Sequence, residues 1–157
     1  MKLQKRLIAF LLFVLLATLT FALIQKTQHP NSSGGYEINR IQVADHTLDV
    51  YIADTNNKRE IGLAVFDEIS EQQGMLFVFD TVDRQIFWMK NMKFDIDIIW
   101  INGQEIVDIT KNVPVQNGAS DSELFRYRPR SEVDKVLEVK AGWVDKFDIS
   151  IGENISM

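Results

Sequence analysis

Carboxylates are the groups most able to do chemistry in this sequence, because the other common catalytic side chains are scarce. The 157 residues include no cysteine and only two histidines, His29 and His46. Neither histidine lies near a serine motif or a cluster of carboxylates, so nucleophilic catalysis and zinc binding are both disfavoured. The sequence also lacks the glycine motifs that bind phosphates or dinucleotides. We therefore expect no metal and no cofactor.

Two aspartates have a spacing that could support catalysis. Asp95 and Asp97 lie two residues apart in a predicted strand, which places both side chains on one face, with Cα atoms about 6.8 Å apart. Such a pair could share a proton, a cation or a sugar bond, and Glu138 in another predicted strand is a third candidate. The alternative is structural: Asp97 accepts hydrogen bonds from the backbone or from Arg59, and Asp95 is solvated. We favour the structural interpretation.

A second group, formed by Trp88, Lys90 and Asn91, combines an aromatic ring with hydrogen-bond donors. Such a set suits a polar ring or an anion. It is equally typical of a core from which a lysine reaches solvent past aromatic neighbours. The candidate ligand-binding residues are Arg59, Trp88, Lys90, Asn91, Asp97 and Glu138.

The predicted site depends on the segment 85–101, which contains two of the three tryptophans. Its apolar residues must be buried, so its polar residues are expected to have partners, face a cleft or lie at strand ends. We predict one strand over 85–90 and another over 95–101. Asn102-Gly103 predicts a type I′ hairpin turn, which makes 105–110 the antiparallel return strand.

The remaining patterns predict a mainly β domain, either a small antiparallel sheet or a distorted barrel, with two short helices. Asn57 and Glu60 have the spacing of a capping box at the start of the first helix. The segment 111–130 lacks periodicity, and a loop of this length is usually functional or disordered. The other predicted elements are a hairpin over 36–55, a helix over 58–66, strands over 75–79, 133–140 and 149–155, a turn over 80–84 and a helical turn over 141–147.

The N-terminus predicts attachment to a membrane. Three basic residues precede an apolar run of 18 residues, Leu7–Ile24, which as a helix would span about 27 Å. A cleaved signal peptide is the alternative, but the run is long for one and lacks a good cleavage site. We expect an anchor or signal sequence over 1–26, a flexible linker over 27–35 and a β-rich domain over 36–157, outside the cytoplasm.

The charge distribution argues against a nucleic-acid partner. Four of the 17 basic residues lie within the first 26 residues, and all 22 acidic residues follow them. The remaining 13 basic residues therefore leave the segment 27–157 with a formal charge of −9. A domain with this charge repels nucleic acid and anionic lipid.

Several short motifs resemble a known family. The motifs REIGL at 59–63, GMLFVF at 74–79 and FWMKN at 87–91 occur in this order, and an Asp-Ile-Ile motif follows at 97–99. In these motifs the chain resembles the prokaryotic family called domain of unknown function 192, from Tyr36 to the C-terminus. The resemblance implies a small, mostly antiparallel β domain with short helices, often exported. It implies no assigned reaction, so no catalytic role is transferred.

These observations predict a membrane-tethered, extracytoplasmic binding module for a small polar or anionic molecule, with its pocket under the 111–130 loop. Its expected partners are the membrane, through the N-terminal helix, and this ligand. One alternative is an envelope protein–protein interaction domain that docks through the loop or a sheet edge. Another is a hydrolase built on Asp95, Asp97 or Glu138, which requires two carboxylates at one cleft and a raised pKa on one of them.

Overall fold

The computed structural model describes residues 35–157. The predicted membrane segment Leu7–Ile24 lies outside these residues, and so does most of the predicted linker. No helix within 35–157 is both long and apolar enough to cross a membrane. The elements are β1 (Glu37–Val43), β2 (His46–Ala53), α1 (Asn56–Ile61) followed by a 3-10 helix (Gly62–Val65), β3 (Gln73–Asp83), β4 (Ile96–Asn102), β5 (Glu105–Val113), β6 (Val133–Lys140), α2 (Trp143–Lys146) and β7 (Ile155–Ser156).

The described strands form one curled sheet in the order β5-β4-β6-β3-β2-β1-β7. Neighbouring strands are antiparallel except β2 and β3, which are parallel because α1 lies in the crossover between them. The C-terminal segment contacts both ends of the sheet. The Ala44 amide donates to the Asn154 carbonyl at 3.0 Å, and the Ile106 amide donates to the Glu153 carbonyl at 2.8 Å. The sheet therefore curls into a half-barrel, and the predicted mainly β class is confirmed.

The sheet is buried on both faces. Side chains alternate along β4, where Ile98 and Trp100 join one hydrophobic cluster while Ile99 and Ile101 join another. The cluster that contains Trp100, here called the first face, is covered by the 3-10 helix and by the segment 85–94. The opposite, second face is covered by α2 and the C-terminal segment. This alternation decides which polar residues of the strands can meet.

The segment 85–90 is not a strand, although it alternates like one. Only Phe87 forms a bridge, exchanging hydrogen bonds of 3.0 and 2.9 Å with Tyr127. Phe87 and Met89 are buried against the first face, while Trp88 and Lys90 are half-buried. An extended segment that covers a sheet has one buried side, so its sequence shows the same alternation as a paired strand. The second strand of this region, β4, is confirmed.

The first helix begins earlier than predicted. Its N-cap is Thr55, whose hydroxyl accepts a hydrogen bond from the Lys58 amide at 3.3 Å. The capping box of Asn57 and Glu60 is therefore wrong, because both residues lie within the helix. Gly62 ends α1 with φ 58° and ψ −150°, a backbone conformation that residues other than glycine rarely adopt. The chain then continues as the 3-10 helix.

Other element boundaries differ from the predicted ones because a sequence pattern does not show which strand residues pair with each other. The β4–β5 hairpin is confirmed, but Asn102 pairs with Glu105, so the turn is Gly103-Gln104. Within that turn only Gly103 has a positive φ, so type I′ is wrong. Strand β3 extends to Asp83 and so occupies most of the predicted turn at 80–84, and the predicted C-terminal strand is reduced to β7.

Candidate functional site

A cavity of about 100 Å³ opens on the first face, between α1 and the segment that covers the sheet. Four of the six predicted residues line it, namely Arg59, Trp88, Lys90 and Glu138. They come from α1, the 85–94 segment and β6, so long-range packing brings them together.

Glu138 forms the polar part of the cavity and lies in the middle of the sheet. Its neighbours in register are Met75 on β3 and Ile98 on β4, and its residue exposure is 4%. Burial raises the pKa of its carboxyl to about 8. No described residue hydrogen-bonds this carboxyl, although every fully enclosed side-chain N or O atom of the described residues has a partner. The unpaired carboxyl must therefore reach the open space of the cavity.

Arg59 is held at the cavity wall by three acceptors. Its guanidinium donates to the carbonyls of Asp54 at 2.9 Å and Val78 at 2.7 Å, and to the Asn56 side chain at 2.6 Å. It also lies 5.2 Å from the centre of the Phe79 ring. A guanidinium has five N–H donors, so two remain without a partner among the described residues. Arg59 is thus rigidly placed and still able to donate.

Trp88 and Lys90 also line the cavity, and both contact residues of the 111–130 loop. The Lys90 ammonium pairs with Asp121 at 2.6 Å and lies 5.3 Å from the Trp88 ring centre. The Arg126 guanidinium lies 4.1 Å from the same ring centre. No residue of the loop lines the cavity itself. The loop instead covers a separate cavity of about 170 Å³, which Lys90 and Asn91 line together with loop residues such as Gln116 and Asp121.

Asp97 is not part of this cavity. It is fully buried, and its carboxylate accepts hydrogen bonds from the Asn112 amide at 2.7 Å and from the Val144 amide in α2 at 3.0 Å. The structure thus gives Asp97 the backbone contacts of the structural interpretation, without the contact to Arg59. Asp95 is exposed and accepts from the Val115 amide at 2.8 Å. This aspartate pair is therefore separated from the cavity that contains Glu138.

Asn91 also lies outside the cavity, although it directly follows Lys90 in the chain. It is exposed, has a φ of 58° and lines neighbouring openings with Lys90 instead. Lys90 and Asn91 do share the cavity under the 111–130 loop, but the buried Asp97 does not line it, so the predicted grouping of all three at a single opening is wrong. The proposed role of the individual residues in ligand binding stays a prediction.

Aromatic and aliphatic side chains that the sequence analysis did not select form the rest of the cavity. Phe87 packs edge to face on Phe77, with ring centres 4.8 Å apart. At the mouth, Ile61 and Ile86 are exposed to 43% and 51%. Ile61 belongs to the REIGL motif, and Ile86 directly precedes the FWMKN motif. The positions of these two motifs are therefore the sequence signal that could have identified both isoleucines as lining residues.

The unused hydrogen-bond donors around the cavity, and not its net charge, favour an anion or another acceptor. Arg59 and Lys90 are positive, Glu60 at the lining is negative, and Glu138 is neutral below its raised pKa. The lining residues carry one net positive charge as long as Glu138 holds its proton, and Asp121, outside the lining, offsets it by pairing with Lys90. Within residues 35–157 no three acidic, histidine or cysteine side chains converge as metal ligands would.

Comparison with known families supports the resemblance of the motifs. A model of the family DUF192, described as uncharacterized ACR, matches residues 38–157. The chain belongs to the DUF192 family. The comparison of this DUF192 chain with curated proteins finds no match.

Solved structures share the fold of this DUF192 domain. One is a candidate transcription regulator from Sinorhizobium meliloti 1021, with 28% identity and a TM-score of 0.68, and the match covers 77% of this chain and 94% of that one. Another is a protein of unknown function from Novosphingobium aromaticivorans DSM 12444, with 23% identity and a TM-score of 0.72. That match covers 82% of this chain and 90% of the other, and it shows a similar fold.

Proposed function

We propose that the DUF192 domain of this chain binds a small polar or anionic molecule in the Glu138 cavity. The observation that supports this function is the unpaired, buried carboxyl of Glu138 inside a cavity that Arg59 and Lys90 also line. A buried polar group without a partner costs about 1–3 kcal/mol. A ligand that hydrogen-bonds Glu138 would recover part of this free energy, which gives the cavity a reason to bind.

The size of the cavity restricts the ligand. Its volume of about 100 Å³ has room for several waters, each of which needs about 10–15 Å³. Sites for drug-sized molecules measure about 300–1,000 Å³, so this ligand is smaller. The exposed Ile61 and Ile86 at the mouth offer apolar contacts to any part of the ligand that remains outside.

Thermal denaturation of the full-length protein, with a panel of small molecules added, tests the proposal. The panel contains acetate, benzoate, phosphate, benzamide and benzylammonium, and a binder raises Tm because it binds the folded state. Lys90→Ala should reduce the shift, whereas the adjacent Asn91→Ala should not, since only Lys90 lines the cavity. Equal effects of the two variants, or no shift with any probe, would contradict the proposal.

We also propose that the domain is tethered outside the cytoplasm by the apolar run Leu7–Ile24. This proposal comes from the length of the run and from the basic residues before it. Membrane fractionation of cells that express the full chain should find it in the membrane pellet after alkaline washing. Protease added to spheroplasts should then degrade the domain, and protection of the domain would place it on the cytoplasmic side.

A further inference from the structure

Resting on the proposed function, we infer that the ligand is a small monocarboxylate whose acid group enters first and lies between Glu138 and Arg59. Both residues line the cavity, and both have hydrogen-bonding capacity that the described residues leave unused. A carboxylate has two oxygens. One can accept a hydrogen bond from a protonated Glu138 and the other can accept from Arg59.

The pairing requires Glu138 to hold its proton. A protonated carboxyl donates one hydrogen bond, whereas an ionised carboxyl only accepts and would repel a ligand carboxylate. The charged groups that face Glu138 from the elements packed on it are Arg59 and Glu60 of α1 and Lys90 of the covering segment. With Glu138 neutral, Arg59 and Glu60 offset each other, and Asp121 of the 111–130 loop pairs with Lys90 at 2.6 Å. The preference for a carboxylate therefore comes from the hydrogen-bond donors of Glu138 and Arg59 and not from a net charge.

A cationic ligand fits less well, although the cavity contains aromatic rings that could bind one. The Phe79 ring already has the Arg59 guanidinium at 5.2 Å from its centre. The Trp88 ring has the Lys90 ammonium at 5.3 Å and the Arg126 guanidinium at 4.1 Å. A ligand cation would therefore find these rings in contact with the cations of the protein and would be repelled by them.

The apolar walls specify the rest of the ligand. Phe77, Phe87 and Met92 are buried side chains that line the cavity, and Ile61 and Ile86 continue this apolar surface at its mouth. A short aliphatic chain or a single ring attached to the acid group would contact them. Benzoate has these properties, while benzamide and benzylammonium keep the ring and replace the acid with a neutral or a cationic group.

Calorimetric titration of the full-length protein with these three compounds, in buffers free of carboxylates, tests the inference. We expect benzoate to bind at about pH 6.5, and to bind about 30-fold more weakly at about pH 9.5, where only a small fraction of Glu138 keeps its proton. Between these pH values, binding should take up a proton from the buffer. Glu138→Gln, which retains a donor that does not titrate, should bind benzoate equally at both pH values. Glu138→Leu should not bind it.

The outcomes separate this inference from the proposed function. If benzamide or benzylammonium binds the wild type and benzoate does not, and Glu138→Leu abolishes that binding, the carboxylate class is wrong while the cavity remains a binding site. Benzoate binding that is equal at both pH values in the wild type would also overturn the inference. If none of the three binds, or if Glu138→Leu binds as the wild type does, both are overturned.

Discussion

Replacement of Glu138 by glutamine should make the stability of the domain less dependent on pH. Burial raises the pKa of Glu138 from its ordinary value of 4.5 to about 8. Between these two pH values the folded protein holds a proton that the unfolded chain has released. The stabilisation is therefore complete below pH 4.5 and is lost as the pH rises through about 8. Glutamine has nearly the same shape and cannot titrate.

The magnitude follows from this difference in pKa. The free energy of unfolding of the wild type should fall by about 1.4 kcal/mol per pH unit between the two pKa values, relative to Glu138→Gln. From about pH 5.5 to 7.5 the change is about 3 kcal/mol, and across the whole interval it approaches about 5 kcal/mol. A domain of this size has a total stability of about 5–15 kcal/mol, so the effect is large.

Urea denaturation of the full-length wild type and Glu138→Gln, followed by tryptophan fluorescence at several pH values, measures this difference. Glu105→Gln is the matched control, because it removes the same charge at an exposed position. The difference between wild type and Glu138→Gln should grow in favour of the variant up to about pH 8 and then remain constant. If the free energies of unfolding of the wild type and Glu138→Gln changed in parallel with pH, the reasoning that burial controls the titration of Glu138 would be refuted.

Three further substitutions test the local structure, each by the free energy of unfolding in urea. Thr55→Ala removes the N-cap of α1 and should cost about 1 kcal/mol, whereas Asn57→Ala, at the cap that the sequence predicts, should change stability by less than half as much. Asp97→Ala leaves two backbone N–H groups without their acceptor and should cost about 3 kcal/mol or more, and the same change at the exposed Asp95 should cost clearly less. Gly62→Ala forces a side chain into a conformation with φ 58° and should cost about 1–3 kcal/mol. Equal losses within either pair of variants, or a neutral Gly62→Ala, would contradict these assignments.

Several elements could be predicted from local patterns alone. Strand β6 has the predicted bounds 133–140, β4 and the hairpin that follows it are present, and α2 lies within the predicted helical turn. These features depend on alternation, propensity and a glycine turn, all of which are encoded within a few neighbouring residues. The family assignment also rests on contiguous motifs and needs no knowledge of long-range contacts.

The candidate site could be predicted only in part, since alternation does not tell which layer a segment contacts. Less exposed and more exposed side chains alternate along the segment 85–90 because one side of it covers the sheet. The residues of the segment do not show whether it pairs with a strand or packs on a sheet face. Asp97 and Glu138 look equivalent in the sequence, as single carboxylates in apolar strands. Asp97 faces α2 and accepts two backbone N–H groups, whereas Glu138 faces a cavity and has no partner among the described residues.

The sequence by itself determined the mainly β class, the family and the types of residue that meet at the cavity. It could do so because the period of burial along a strand and the chemistry of a side chain are local properties. Only the tertiary structure decided that Arg59, Trp88, Lys90 and Glu138 share one cavity and that Asn91 and Asp97 do not. That outcome depends on the curl of the sheet and on which segment covers each face. Both are set by contacts between residues that are distant in the chain.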